Sequence, residues 1–474
     1  MKQLLSDFNS EEIREALDIP PYKAKQIFRW LAKGCDFAEM SDQSKAFRET
    51  LQENYFAQGV KIIKRLVSED GTEKYLFALN DGAVVEGVLM KYKYGNTLCV
   101  STQAGCRMGC AFCASTLNGL ERNLSAGEIY GEVVAVNRLK EGGLGEGRAV
   151  TNVVLMGSGE PLDNYDNVIG FLRLLNSPDG LNVSYRNISL STCGLVPQII
   201  RLADEGIAVN LTVSLHSPFQ HKRIKLMPVS KKYPLLSVVE AAKYYFEKTG
   251  RRVYFEYTLI SGENDSDEDA ERLAELLKGF PAHINLIRLN PVRERRLKGT
   301  GDSAAAAFAA RLQNLGLSVT LRRRMGADID GACGQLRKRY LEENGFENLN
   351  LLNNNCYEYE GVAICGTRGW FYEEDRSGEH DEKVFKRELL RLEASLKAAG
   401  DMWKMVFLHY PPRYRGYECP EILQLLEKYG VSRCFYGHLH GGSHALAMEG
   451  LWDGVDFRLV AADYTGFRPY KVIP

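Results

Sequence analysis

GCRMGCAFCAST, residues 105–116, sets Cys106, Cys110 and Cys113 at spacings of four and three in a loop of small residues. Most protein metal sites close with four ligands, so three thiols pose a chemical question. Zinc would want a fourth ligand. No Cys or His follows before Cys193, and upstream only Cys99 is near. An iron–sulfur cluster also takes four ligands, but one held by three cysteines leaves an iron open to a substrate.

The loop follows the strand-like NTLCVSTQ (96–103), the first of six apolar segments. The others are TNVVLMGSG (151–159), RNISLSTCG (186–194), AVNLTVSLH (208–216), RVYFEYTLI (252–260) and HINLIRLN (283–290). Helical stretches at 126–140, 166–175, 235–248, 267–278 and 303–315 alternate with them. Strands alternating with helices predict an α/β fold with a parallel sheet, here a partial (β/α)6 barrel. Its unusual residues fall at the carboxyl ends of successive strands: the cysteine loop, then Gly157, Gly159 and Glu160, then Ser191, then Ser214 and His216, then Asn290. In such a barrel those ends converge on one mouth, so one site is expected.

Before the barrel, SEEIREALD (10–18) and PPYKAKQIFRWLAKG (20–34) read as capped helices, and residues 74–103 alternate in period two around an NDG turn, as hairpin strands do. After residue 340 an Asn-rich stretch gives way to new strands near 404–409, 432–437 and 456–462, with a helix near 384–398. The expected organisation is a helical domain at 1–70, a core at 71–340 and a further α/β region at 341–474.

The 474 residues are 45% hydrophobic, enough for more than one core. Eleven irregularly spaced cysteines disfavour a disulfide scaffold. No segment is long and apolar enough to span a bilayer, and the start reads as an amphipathic helix. The expectation is a cytoplasmic protein without a membrane partner. A formal net charge of -1 gives no global attraction to nucleic acid, so such binding must rest on local patches. Arg293, Arg295, Arg296 and Lys298 form one basic run; Arg322, Arg323, Arg324 and Arg337, Lys338, Arg339 flank GADIDGACGQL (326–336).

CxxxCxxC after the first strand of a six-unit chain resembles the radical S-adenosylmethionine enzymes. That resemblance implies a [4Fe-4S] cluster on Cys106, Cys110 and Cys113, with S-adenosyl-L-methionine on the open iron. MGSGEP (156–161) offers close backbone approach and a carboxylate, Glu160, for the cofactor ammonium group. Gly159, Ser191, Ser214, Leu215, His216 and Asn290 complete the expected cofactor site.

GSGEP, LSTCG, VSLHSP, LNP and GADIDGACGQL in this order, with PPYKAKQIFRWL near the start, resemble the RlmN/Cfr family over about residues 10–337. RlmN members methylate adenine C2 and the related Cfr enzymes C8. The resemblance implies that Cys333 carries a methyl group, that Glu86 (in VVEGVLM) acts as base, and that Cys99 attacks sulfur to release product through a transient Cys99–Cys333 disulfide. Implied partners are 23S rRNA near the peptidyl-transferase region, tRNA at the adenosine 3' of the anticodon, and an external flavodoxin- or ferredoxin-type electron donor. A monomer is expected. The C8 reaction is the alternative chemistry.

The last 130 or so residues lie beyond that resemblance. FLHYPP (407–412), YGHLHGGSH (436–444) and GVDFRLVAADY (454–464) resemble the second half of a calcineurin-like metallophosphoesterase. His409, His438 and His440 are the candidate ligands, but no GDxxD or GNH[DE] precedes them. A phosphohydrolase carried by this region is the rival function. The expectation is instead an inert partial domain whose sheet edges and apolar faces are left unpaired, poorly ordered unless it pairs with another chain.

Overall fold

The computed structural model describes residues 2–117, 119–290, 297–323, 325–329, 336–337, 352, 355–370, 379–466, 468, 470 and 472. The chain divides into two compact units, Met1–Leu341 and Glu342–Pro474.

The first unit opens with helices Ser10–Leu17, Pro21–Ala32 and Lys45–Asn54. Asn9 builds a capping box with Glu12, Pro starts the second helix, and Ser44 caps the third. The chain then enters a ten-stranded sheet. Seven strands run parallel in the order Val319–Leu321, His283–Arg288, Tyr254–Leu259, Asn210–Ser214, Ile188–Thr192, Asn152–Leu155 and Gly95–Cys99. The expected six parallel strands are all present, and a seventh, the three-residue Val319–Leu321, extends the sheet. Helices Val196–Asp204 and Gln220–Leu226, unforeseen in the sequence, complete the crossovers.

Three antiparallel strands, Val84–Tyr92, Glu73–Leu79 and Val60–Val67, continue the other edge. The sheet thus begins inside the span expected to be helical, because the last N-terminal helix stops at Asn54. Glu73–Leu79 and Val84–Tyr92 pair antiparallel across the NDG turn, as their alternation suggested, and both faces are covered. Six of seven residues in Glu73–Leu79 are buried. One face, with Tyr75 and Phe77, joins the main core; the other, with Leu76 and Val84, is covered by Leu336.

The parallel strands keep period two. Val153, Leu155, Ile188, Leu190, Leu211, Val213, Phe255 and Tyr257 are buried in the main core. Their neighbours Asn152, Ser189, Ser191, Asn210 and Ser214 are only partly buried and line the cavities of the concave face.

The second unit carries its own six-stranded sheet, in the order Cys356–Tyr359, Val362–Thr367, Trp403–Leu408, Val431–Tyr436, Val455–Leu459 and Gly450–Trp452. The four central strands are parallel and each edge strand is antiparallel. Val406, Leu408, Cys434, Tyr436 and Phe457 pack with Leu392 and Leu396 of helix Glu379–Ala398 and Leu426 of helix Pro420–Lys428. The sheet and two helices enclose a core among the described residues. Among those residues no helix is long and apolar enough to cross a membrane.

Candidate active site

The cysteine loop hangs between two short antiparallel strands, Gln103–Gly105 and Leu120–Asn123. Its base is closed by Cys106 N–H donating to Gly119 O at 2.8 Å, and its tip by Thr116 Oγ1 donating to the carbonyls of Cys110 (3.1 Å) and Cys113 (3.0 Å). Gly105 is obligatory here, for it has φ +76° and a Cβ would stand 2.1 Å from Gly119 O.

GSGEP follows strand Asn152–Leu155 and lies against residues 100–103. Gly157 N–H donates to Val100 O (3.0 Å), and the Ser158 carbonyl accepts from Thr102 N–H (2.8 Å) and Gln103 N–H (3.1 Å). A Cβ on Gly157 would meet Val100 O at 2.6 Å. The glycines thus let the second strand end approach the segment that carries the cysteines.

A cavity of about 260 Å3 opens there. It is lined by Cys106, Cys110 and Cys113 together with Gly159, Glu160, Ser191, Ser214, His216 and Asn290. Expected residues from five separate segments thus meet at one place. Leu215 does not: its side chain is fully buried in the core. Its backbone contributes instead, N–H to Glu256 O (3.0 Å) and C=O to Arg223 Nε (3.2 Å).

Burial pushes the Cys106 thiol up to about 12, with Glu160 and Cys113 adding to the rise. Cys110 is raised for the same reason, and its sulfur neighbours raise it further. Three thiols that repel one another as thiolates are a donor set that a cationic iron–sulfur group would satisfy. Among the described residues, no three His, Cys, Asp or Glu side chains gather closely enough to hold a single metal ion. A cluster meets its ligands at separate irons and does not require that convergence.

Glu160 is buried, which raises its carboxyl, and accepts backbone N–H groups from Cys193 (2.7 Å) and Leu162 (3.1 Å). His216 has φ +55° and stands edge-on to Phe112 with ring centroids 4.6 Å apart. Burial takes it down to about 3, so it stays neutral, and Nδ1 accepts from Thr258 N–H at 2.9 Å.

Two charged residues, Glu256 and Arg223, escaped the sequence reading. Glu256 lines the cavity, accepts from Ser191 Oγ (3.3 Å) and pairs with Arg322 (3.1 Å); burial raises its carboxyl. Its signal was a lone carboxylate in the apolar run VYFEYTLI. Arg322, expected in a basic run flanking residues 326–336, is a partner of Glu256. Arg223, fully buried, donates to Leu215 O, Ser230 Oγ (2.6 Å), Cys193 O (2.8 Å) and Ser214 O (3.1 Å). Burial lowers it to about 10.

Glu86 and Cys99 do not line this cavity. Glu86 is 2% exposed; Oε1 lies 3.4 Å from Nζ of Lys74, itself fully buried, and Oε2 accepts from Arg337 N–H at 3.0 Å. Cys99 is buried at the end of its strand, paired with Val88. Arg337, from the second basic run, is tied to Val84 O (2.5 Å) and Glu121 (2.5 Å). Asp328 is held by Ser68, and Gly326 N–H by Asp70 at 2.9 Å. Both ends of the segment bearing Cys333 are thus anchored on the antiparallel strands. Cys333 itself lies outside the described residues, as do Arg293, Arg295, Arg296, Arg324, Lys338 and Arg339. All described cysteines are free thiols.

In the second unit, His438 Nδ1 and His409 Nε2 are 3.2 Å apart. His440 turns to Asp463 (2.7 Å), which also meets His444 at 3.2 Å. Asp463 is a carboxylate that the sequence reading overlooked.

A three-cysteine loop at the carboxyl edge of a parallel α/β sheet defines a radical S-adenosylmethionine protein, and the Radical SAM superfamily model matches residues 100–276. The model for the ribosomal RNA large subunit methyltransferase N-terminal domain matches residues 4–56. A probable dual-specificity RNA methyltransferase RlmN of Clostridium perfringens is 49% identical over 353 residues, 73% of this chain and 100% of that protein. The corresponding protein of Geobacillus kaustophilus is 49% identical over 325 residues, 68% of this chain and 88% of its own length. The solved structure of a radical SAM methyltransferase from Sphaerobacter thermophilus shares 41% identity with a TM-score of 0.67, covering 70% of this chain and 98% of that one. The chain belongs to the RlmN family of radical SAM RNA methyltransferases.

Proposed function

We propose that this chain methylates C2 of adenosine in 23S rRNA, in the peptidyl-transferase region, and in tRNA, at the position 3' of the anticodon. The observation that carries the reading is the single cavity joining Cys106, Cys110 and Cys113 to Glu160, Ser191, Ser214 and Asn290, in a member of this family. Bound at the three cysteines, a [4Fe-4S] cluster supplies the electron for reductive cleavage of S-adenosylmethionine. Glu160 takes the cofactor's ammonium group; Ser191, Ser214 and Asn290 serve its hydroxyl and carboxylate groups.

Adenine C2 sits between two ring nitrogens and is not nucleophilic, so a radical route is required. By family resemblance Cys333 is the carbon carrier. Its sulfur would take a methyl from one S-adenosylmethionine, and that methyl would lose one hydrogen atom to the 5'-deoxyadenosyl group of a second before its carbon adds to C2. Once the adduct has given up one electron the base is tethered to Cys333 through a methylene; release needs loss of the C2 proton, attack on sulfur and a proton for the freed carbon. Glu86 takes the proton, for which it must release the Arg337 N–H that its Oε2 now accepts. Cys99 attacks the Cys333 sulfur, leaving a disulfide that an external reductant reopens. The enzyme acts as a cytoplasmic monomer with a flavodoxin- or ferredoxin-type donor.

For the second unit, the phosphoesterase resemblance is supported by the His409–His438 pair alone, and we assign it no activity. Mass-spectrometric mapping of RNA treated with the reconstituted enzyme tests the reading. Methylation at adenosine C2 in both RNAs is expected, and methylation at C8 would replace the regiochemistry.

A further inference from the structure

The edge of the second unit's sheet carries a pair of thiols with no part in the proposed function. Strands Cys356–Tyr359 and Val362–Thr367 form a hairpin, and in its antiparallel register Cys356 stands directly opposite Cys365. The loop between them is two residues, Glu360 and Gly361, with φ +50° and +78°. Positive φ at both positions makes a type I′ turn, which fixes the register of the hairpin. In such a hairpin the flanking pair, here Tyr359 and Val362, exchanges both ladder hydrogen bonds, and the two kinds of pair alternate outward from it. Cys356–Cys365, three steps on, is therefore a non-hydrogen-bonded pair, with Cα atoms about 4.5 Å apart and side chains on one face. A disulfide spans about 4.4–6.8 Å between Cα atoms, so the backbone already has the spacing that the bond needs. Among the described strand pairs, no other sets two cysteines opposite each other.

The two thiols differ in access. Cys365 is fully buried in the core that holds Leu392, Leu396 and Val406. Its Sγ donates to Ser395 O at 3.6 Å, and burial pushes the thiol up to about 11, with Cys356 adding to the rise. Cys356 packs on the rim of the same core and is half-buried, because its strand is the outermost of the six. Ser395, with no exposed surface, ties both strands to helix Glu379–Ala398: its Oγ donates to Asn355 O (2.5 Å) and accepts from Gly366 N–H (3.0 Å). The backbone beside each cysteine is thus held, and the sulfurs meet by side-chain rotation alone.

We infer that Cys356 and Cys365 are a redox-active dithiol that closes to a cross-strand disulfide on meeting a low-molecular-weight disulfide. The Cys356 thiolate attacks one sulfur of the small disulfide, forming a mixed disulfide and expelling one thiolate. The Cys365 sulfur, having lost its proton, attacks Cys356 Sγ, forming the Cys356–Cys365 bond and expelling the second thiolate. Two protein thiols lose two protons and two electrons; the small disulfide gains both and leaves as two thiols. Attack begins at Cys356 because only that sulfur reaches solvent. The bond pins the outermost strand to its neighbour, so the closed form holds this edge of the sheet and the open form lets it fray.

The test equilibrates the full chain with excess oxidised glutathione, quenches in acid, unfolds the protein and alkylates the thiols that remain. Trypsin leaves both cysteines on one peptide, residues 340–368, and cleavage after Glu358 or Glu360 separates them. The expected peptide is lighter by two hydrogens with neither cysteine alkylated, and the second cleavage yields two fragments joined through sulfur. Amide exchange in Cys356–Tyr359 should slow at least about tenfold on closure, and dithiothreitol should restore both thiols and the faster exchange. Cys365→Ala should stop with glutathione on Cys356, whereas Cys356→Ala should leave Cys365 unmodified. Wild-type protein with both cysteines alkylated, or with glutathione held on Cys356 and no closure, overturns the inference. So does Cys365 taking glutathione in Cys356→Ala as readily as Cys356 takes it in Cys365→Ala. Exchange unchanged by complete closure overturns the pinning of the strand.

Discussion

Replacing Arg223 with methionine removes a fully buried guanidinium whose donors go to four oxygens: Leu215 O, Ser214 O, Cys193 O and Ser230 Oγ. Three belong to residues at or just beyond the carboxyl ends of the Ile188–Thr192 and Asn210–Ser214 strands, where the cofactor cavity opens. Methionine preserves much of the volume but donates nothing. At roughly 1 kcal/mol for each lost hydrogen bond the cost is about 4 kcal/mol, with the acceptors left buried adding to it. For a unit of this size that corresponds to a fall in Tm of about 6 °C. The assay is calorimetry of the full chain. Arg223→Lys, which keeps the charge and some donors, should recover part of the loss. A methionine variant within about 2 °C of wild type would refute the view that this side chain ties the strand ends together.

Lys74→Met strands the Glu86 carboxylate in the core and should cost about 3–5 kcal/mol in urea unfolding, whereas Lys74→Met with Glu86→Leu should lie within about 2 kcal/mol of wild type. A double variant no better than the single would contradict the pairing. His216, neutral in the fold down to about 3, takes up its proton on unfolding below its ordinary value of 6.5. The unfolded state binds more protons in that window, so stability is lost as pH falls. Its share between pH 7.5 and 5 is about 2 kcal/mol, absent in His216→Asn and measurable by denaturant titration at each pH. Gly157→Ala drives a methyl group to 2.6 Å from Val100 O and should cost about 1–3 kcal/mol, read in the same titration.

Six of the parallel strands were legible because their sequences keep period two and glycine or proline follows each of them. Strand Val319–Leu321 was not: three residues are too few to show a period. The cysteine loop, Glu160 and the serines could be placed by their position at strand ends. Arg223 could not, since HKRIKLMPVS reads as a solvated basic stretch and only the fold turns one arginine inward. Glu256 was visible as a polar residue inside an apolar strand, yet its meaning depends on sheet curvature, which brings alternate residues of separate strands to one cavity. In the second unit the strands were legible from their apolar runs, and helices Glu379–Ala398 and Pro420–Lys428 pack on the sheet they form.

The central claim is that carbon reaches RNA through Cys333 by a route that costs the methyl group one of its own hydrogens. Methyl-trideuterated S-adenosylmethionine, supplied to the reconstituted enzyme with an RNA substrate, tests it directly. Product adenosine analysed by mass should carry two deuteriums in its new methyl group, with the third found in 5'-deoxyadenosine. A product that keeps all three would show direct displacement and contradict the account.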